Sequence, residues 1–178
     1  MAIRRNKRYG SVSHRIGRTA EHEALMKLKS KVRRGSARLT KASGALAEKG
    51  DLIYDVGGNV WAIESKATSA PVYRLNWHTL SKLYYDAVEY DKIPMLRISF
   101  NTKEGAGGVV VCLIPTSYIV GEEHVITANS INISKEWFNK MRGNTFYFER
   151  QPEIMWLVTT EKEAADYIRG DLDDQEEG

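Results

Sequence analysis

The sequence has one cysteine, Cys112, and no long run of apolar residues. A lone cysteine cannot form an intramolecular disulfide, which indicates a reducing compartment. A membrane-spanning helix needs about 20 consecutive apolar residues, so none is predicted. The basic N-terminus also lacks the apolar stretch of a secretory signal. We therefore expect a cytoplasmic protein with no membrane partner.

Acidic residues are scarce in the first fifty positions, which carry three acids and 14 bases. That segment has a net charge of +11, although the whole chain of 178 residues carries only +3. The last eight residues, Asp171 to Gly178, hold five acids and no base. This segregation favours a polyanionic partner for the N-terminal part and predicts a disordered acidic tail over residues 171–178.

The N-terminal residues 1–18 contain six bases, no acid and little apolar periodicity, which predicts a flexible basic arm. Apolar residues then recur at steps of three and four, which predicts a helix over about 19–33. The polar stretch Arg33–Lys49 contains glycine and serine breakers and is interpreted as a loop. A length near 180 residues and a hydrophobic content of 42% fit one domain with its own core.

Two short apolar runs, Asp51–Val56 and Val60–Ser65, flank Gly57-Gly58-Asn59, and this spacing predicts a β-hairpin. Further elements are predicted along the rest of the chain: a helix over Leu75–Tyr90, strands over Met95–Phe100, Val109–Ile114, Thr145–Phe148 and Ile154–Val158, and a helix over Glu161–Arg169. This order of elements is typical of a mixed α/β fold. Cys112 lies inside one of these apolar runs and is predicted to be core.

The predicted hairpin carries the residues most informative about chemistry. Side chains alternate along a strand, so Glu64 and Lys66 share one face, and the hairpin brings Asp51 alongside them. Two converging carboxylates can hold a hard divalent cation, and a lysine can place an ammonium beside the bound water or phosphate. Charges at the end of an apolar strand are costly unless they bind something. These groups are the minimum equipment for metal-assisted phosphodiester hydrolysis, and the alternatives are solvated surface charges or a purely structural ion network.

Several short motifs accompany this cluster: Ala20-Glu21-x-Glu23, Ser43-Gly44, Gly50-Asp51, Glu64-x-Lys66, and the strand Ile93–Phe100. Together they resemble the archaeal-type Holliday junction resolvases of the PD-(D/E)xK nuclease superfamily, over roughly residues 15–120. The resemblance implies a restriction-endonuclease-like core, with a central mixed β-sheet flanked by helices. We assign the nuclease core to residues 19–120 and a C-terminal extension packed on it to residues 121–170.

The resemblance also implies roles for single residues. Asp51 and Glu64 would bind Mg²⁺, with Mn²⁺ able to substitute, and Glu21 would complete the metal site and take part in catalysis. Lys66 would orient or activate the attacking water, and Ser43 would lie near the scissile phosphate. The backbone carbonyl of Ser65 is a further candidate ligand. The family acts as a homodimer on four-way DNA junctions and makes paired nicks across the branch point. With this resemblance, the expected location is the cytoplasm of a prokaryotic cell or of a phage-infected host.

The basic residues supply the expected contacts with DNA phosphates, each of which releases counterions. The predicted DNA-binding residues are Arg4, Arg5, Lys7, Arg8, Arg15, Arg18, Arg33, Arg34, Arg38 and Lys41. Three hypotheses remain open: a nuclease that resolves Holliday junctions, a nuclease of the same superfamily acting on linear or other branched DNA, and a non-catalytic nucleic-acid-binding protein.

Overall fold

The computed structural model describes residues 22, 24–32, 35–40, 51–100, 108–117 and 119–169. The predicted basic arm and acidic tail lie outside these ranges. The strands of the described ranges are β1 Ser36–Leu39, β2 Leu52–Val56, β3 Asn59–Thr68, β4 Val72–Asn76, β5 Ile93–Phe100, β6 Val110–Thr116, β7 Glu123–Ile126, β8 Ser130–Ser134, β9 Thr145–Phe148 and β10 Gln151–Thr160. The helices are α1 (residues 24–32), α2 Trp77–Val88, α3 Lys135–Met141 and α4 Glu161–Arg169.

Eight strands form one mixed sheet in the order β1-β2-β3-β5-β6-β10-β9-β7. The β3–β5 and β7–β9 pairs are parallel, and the other pairs of this sheet are antiparallel. Strands β4 and β8 form a separate antiparallel pair. A parallel pair needs a crossover connection, and α2 lies in the crossover from β3 to β5. This connection places α2 over one face of β3.

Helices cover both faces of the main sheet. On one face, Leu80 of α2 packs in a buried cluster with Ile98 of β5. On the other face, Leu28 of α1 and Ala164 of α4 pack in a second cluster with Ile63 of β3. None of the helices in the described ranges is long and apolar enough to cross a membrane. The predicted α/β class, with a central mixed sheet flanked by helices, is confirmed.

The hairpin predicted around Gly57-Gly58-Asn59 is confirmed as the β2–β3 connection. Gly57 and Gly58 have φ values of 60° and 92°, a region in which glycine has no side-chain penalty. The predicted strands of the second half are present as β5, β6, β9 and β10, and the final helix has the predicted bounds. Cys112 is fully buried in β6, and this burial raises its pKa to about 12.

The prediction of a loop over Arg33–Lys49 is wrong for Ser36–Leu39, which forms the edge strand β1 against β2. The half-buried Ala37 and Leu39 alternate with exposed neighbours, but two apolar positions are too few to reveal the alternation of a strand. The rest of that stretch, apart from Gly35 and Thr40, lies outside the described residues.

The helix predicted over Leu75–Tyr90 begins too early, because Leu75 and Asn76 belong to β4. Asn76 ends the strand and caps α2, its side-chain oxygen accepting a hydrogen bond from the His78 N–H at 3.1 Å. Strands β7 and β8 and helix α3 were not predicted, because the periodicity weakens beyond Tyr118. The main sheet continues past residue 120 through β10, β9 and β7, and the division into core and extension stays a prediction.

Candidate active site

The face of β3 that α2 covers carries Glu64 and Lys66. The Lys66 ammonium donates a hydrogen bond to Oε1 of Glu64. Both side chains are partly accessible, with 26% of Glu64 and 38% of Lys66 exposed. This ion pair therefore lies at a boundary between the core and solvent, where its partners can be exchanged.

Asp51 is fixed against β3 by two hydrogen bonds. Its N–H donates to the carbonyl of Ile63 at 3.0 Å, and its Oδ2 accepts from the N–H of Ser65 at 2.9 Å. These bonds place the Asp51 carboxylate beside the residues that flank Glu64. The structure thus brings Asp51, Glu64 and Lys66 together at one end of the β2–β3 hairpin.

The electrostatics of this cluster favour the protonated, positively charged form of Lys66. Burial lowers the pKa of Lys66, but the hydrogen bond with Glu64 and the negative charges of Glu64 and Asp51 outweigh it, and the net shift is upward. Tyr73 of β4 lies close enough to Lys66 and Glu64 for their charges to affect its pKa. Burial raises its pKa, with Lys66 opposing the shift and Glu64 adding to it.

The Lys66–Glu64 ion pair lines a cleft of about 540 Å³ between β3 and α2. Its floor includes Ala62, Glu64 and Lys66, and Tyr73 contributes to its rim. The helix supplies the opposite wall, with His78 and Lys82 among its polar residues. A volume of this order is typical of ligand-binding clefts.

The donor set suits a hard divalent cation. Mg²⁺ is usually held by one or two carboxylates and completes its octahedron with waters and phosphate oxygens, so Asp51 and Glu64 can suffice. Among the residues that the structure describes, no three His, Cys, Asp or Glu side chains form a group that could hold a metal. The third predicted carboxylate, Glu21, lies outside the described residues.

Other predicted site residues are only partly placed. Ser43 lies outside the described residues. The Ser65 N–H holds Asp51, and the proposed role of the Ser65 carbonyl as a ligand stays a prediction. Of the ten predicted DNA-binding residues, only Arg38 falls within the described ranges, and it is exposed on the edge strand β1.

A second charged cluster lies on the opposite face of the sheet and was missed by sequence reasoning. Arg97 of β5 is 1% exposed, and its Nη2 lies 2.8 Å from Oε1 of Glu161. Lys31 of α1 contacts Oε2 of Glu161 at 2.9 Å. Burial raises the pKa of Glu161, but the charges of Arg97 and Lys31 and their hydrogen bonds outweigh it and lower the pKa.

This buried cluster reaches the back of the candidate site. Arg97 pairs in register with Ser65, and its Nη1 lies 3.5 Å from the Ser65 hydroxyl. The available signal was an arginine inside the apolar run Ile93–Phe100, since a charge in a buried strand requires a partner. Its partner Glu161 is 64 residues away, and no local pattern could identify it.

The mixed sheet with helices on both faces is a restriction-endonuclease-like α/β fold. This fold is shared with the solved structure of Hjc, a Holliday junction resolvase from the archaeal hyperthermophile Archaeoglobus fulgidus. The two chains are 15% identical and superpose with a TM-score of 0.52, over 84% of this chain and 95% of Hjc. The sequence matches no family model and has no significant match among curated proteins.

Proposed function

We propose that the protein is a metal-dependent DNA endonuclease that resolves four-way junctions. The observation that carries this proposal is the convergence of Asp51, Glu64 and Lys66 at an open cleft, in the fold of a Holliday junction resolvase. The fold alone would not define a function, because one fold can host many chemistries. The charged cluster supplies the chemical part of the argument.

Asp51 and Glu64 would hold Mg²⁺, with Mn²⁺ as a substitute, through carboxylate oxygens. When bound, the metal polarises the scissile phosphate and lowers the pKa of a coordinated water. The Lys66 ammonium already donates a hydrogen bond to Glu64, and it can donate equally to a phosphate oxygen or to the attacking water. We propose that hydrolysis leaves a 5′-phosphate.

Three further assignments belong to the same proposal. Glu21 would add a carboxylate from the start of the first helix, Ser43 would contact the scissile phosphate, and the Ser65 carbonyl would complete the ligand set. Arg38 and the other basic residues of the first fifty positions would bind DNA phosphates. A homodimer would place two such sites across the branch point, so that substrate shape determines selectivity.

The test is cleavage of a labelled four-way junction with and without Mg²⁺, and with Mn²⁺ in its place. We expect paired nicks that depend on the metal. Asp51→Asn should abolish cleavage and retain junction affinity, because it removes the charge of a ligand while preserving the shape of the side chain. The substitution Asp166→Asn on α4, outside the cleft, is the matched control and should cleave as the wild type does.

The choice of substrate requires a parallel measurement on a flap and a linear duplex at the same concentration. Preference for the junction supports a resolvase. Faster cleavage of either other substrate would identify a different nuclease of the same superfamily. Salt-dependent binding with no metal-dependent product on any substrate would contradict the nuclease proposal and identify a non-catalytic binder.

A further inference from the structure

The wall of the cleft formed by α2 has a chemistry that the proposed catalytic cluster does not use. His78, Lys82 and Asp86 follow one another at four-residue steps, so they lie along one face of the helix, and all three line the cleft. They face Glu64 and Lys66 across it. The catalytic pair and this row therefore share one space.

This row contributes little to the stability of the fold. Lys82 Nζ lies 2.5 Å from Asp86 Oδ2, but 73% of the Lys82 side chain is exposed. Ion pairs of this kind on a helix surface are worth only about 0.3–0.5 kcal/mol. Such a lysine can leave its partner at small cost when a stronger anion enters the cleft.

The start of the row is held in place before any ligand arrives. The His78 ring stacks on Trp77 with centroids 3.7 Å apart and an interplanar angle of 29°. The Trp77 N–H donates to the carbonyl of Asn129 at 3.1 Å, which ties this end of α2 to the loop before β8. A fixed donor binds more tightly than a mobile one because less conformational freedom is lost.

The polar groups around the cleft match a phosphodiester better than a base. Lys82 offers an ammonium and His78 a ring N–H, and Tyr73, which lines the same cleft near Lys66, offers a hydroxyl. Lysine and hydroxyl side chains are common donors to phosphate oxygens, which fix the register of a nucleic acid without reading its sequence. The only carboxylate in the row, Asp86, would repel the same phosphate.

We propose that Lys82 and His78, together with Tyr73, bind the DNA phosphate adjacent to the scissile one, and that Asp86 competes with that phosphate for Lys82. The proposal rests on the nuclease function proposed above. The α2 wall would position the strand so that the scissile phosphate meets Asp51, Glu64 and Lys66. Lys82 is thus a positioning residue whose partner is Asp86 before binding and a phosphate afterwards.

The two members of the surface ion pair should have opposite effects on binding. Lys82→Gln should weaken four-way junction affinity about three- to tenfold and reduce the magnitude of the slope of log K against log salt by about 0.9, the loss of one phosphate contact. Asp86→Asn should leave the slope intact and tighten binding two- to fivefold. If the Lys82–Asp86 ion pair is merely structural, neither substitution should change the affinity for the junction.

A chemically modified substrate tests the contact directly. In the wild-type protein, a neutral methylphosphonate at the phosphate next to the nick should weaken binding as much as Lys82→Gln does. In Lys82→Gln, the same modification should have no further effect, because the contact is already lost. Lys162→Gln, an exposed lysine on α4 outside the cleft, is the matched control and should remain as sensitive as the wild type.

The outcomes separate this inference from the function on which it rests. If the wild type cleaves junctions but Lys82→Gln matches it in affinity, salt slope and methylphosphonate sensitivity, the positioning role is overturned and the nuclease remains. If no DNA is cleaved with any metal, the nuclease proposal fails. The salt slope and the modified substrate then still decide whether Lys82 contacts a phosphate. His78→Gln, with circular dichroism to verify folding, gives an independent variant of the same wall.

Discussion

The two faces of the main sheet present ion pairs of similar composition, one beside an open cleft and one buried. On the α2 face, Lys66 and Glu64 are 38% and 26% exposed beside a cleft. Behind the sheet, the Arg97 and Glu161 side chains are 1% and 8% exposed under α1 and α4. The alternation of side chains along one strand and its neighbour separates these two clusters.

The difference in burial determines what each pair can do. A buried charge without its partner is costly, so separating Arg97 from Glu161 should destabilise the fold. A partly exposed pair gains little from its own attraction, and water or another ion can compete for its members. The cleft face is therefore suited to binding and chemistry, and the opposite face to holding α1, α4 and the sheet together.

Glu64→Gln is the strongest test of the cleft face. We expect junction cleavage to fall by at least about 1,000-fold, because in the proposed mechanism a metal held by Glu64 would supply several kcal/mol of transition-state stabilisation, and each 1.36 kcal/mol is about tenfold in rate. Single-turnover cleavage with saturating Mg²⁺ is the measurement. The free energy of unfolding in urea should change by less than about 1 kcal/mol. A variant that cleaves normally would remove Glu64 from the site.

Arg97→Met is the corresponding test of the buried face. Removing one partner of a buried ion pair typically costs about 3–5 kcal/mol, because the other charge remains in a poorly solvated place. Urea denaturation should show this loss directly. Lys162→Met, on the exposed side of α4, is the control and should stay within about 0.5 kcal/mol of the wild type. A similarly small effect for Arg97→Met would mean that Glu161 is satisfied by Lys31 alone.

The sequence revealed the cleft face far better than the buried one, for physical reasons. Asp51, Glu64 and Lys66 are joined by a short hairpin whose turn is marked by Gly57 and Gly58, so local spacing predicts that they meet. The buried cluster joins β5 to helices at opposite ends of the chain. Its assembly depends on the order of strands in the sheet, which local periodicity does not encode.

The same distinction explains the errors in the predicted elements. Strands β5 and β6 are buried apolar runs and were recognisable. Strand β1 has only two partly buried apolar residues, and β4 has one buried residue, Leu75, between exposed neighbours. These short strands form because partners exist for them in the tertiary structure. Which residues of α2 line the cleft was likewise not predictable from the sequence, because this depends on how the crossover from β3 to β5 places the helix.

Acid titration sharpens the comparison with a smaller effect. Glu161 has a lowered pKa in the folded protein, so its contribution is complete above the unfolded pKa of about 4.3 and is lost as the pH falls through the folded pKa. Below about pH 4.3, wild-type stability should therefore fall more steeply than that of Glu161→Gln, by up to about 1.4 kcal/mol per pH unit. Urea denaturation at a series of pH values measures the difference. A constant gap between the two proteins would show that Glu161 titrates alike in both states.

The smallest expected effect comes from replacing one lysine on each face of the main sheet with methionine. Lys66→Met should change the free energy of unfolding by no more than about 1 kcal/mol, because its ion pair with Glu64 is partly solvated. Lys31→Met should cost more, about 1–2 kcal/mol, because its ammonium donates a hydrogen bond to the buried Glu161. Only Lys66→Met should impair cleavage. Equal stability losses would mean that the Lys66–Glu64 pair is also structural. The assignment of binding to one face and of stability to the other would then be wrong.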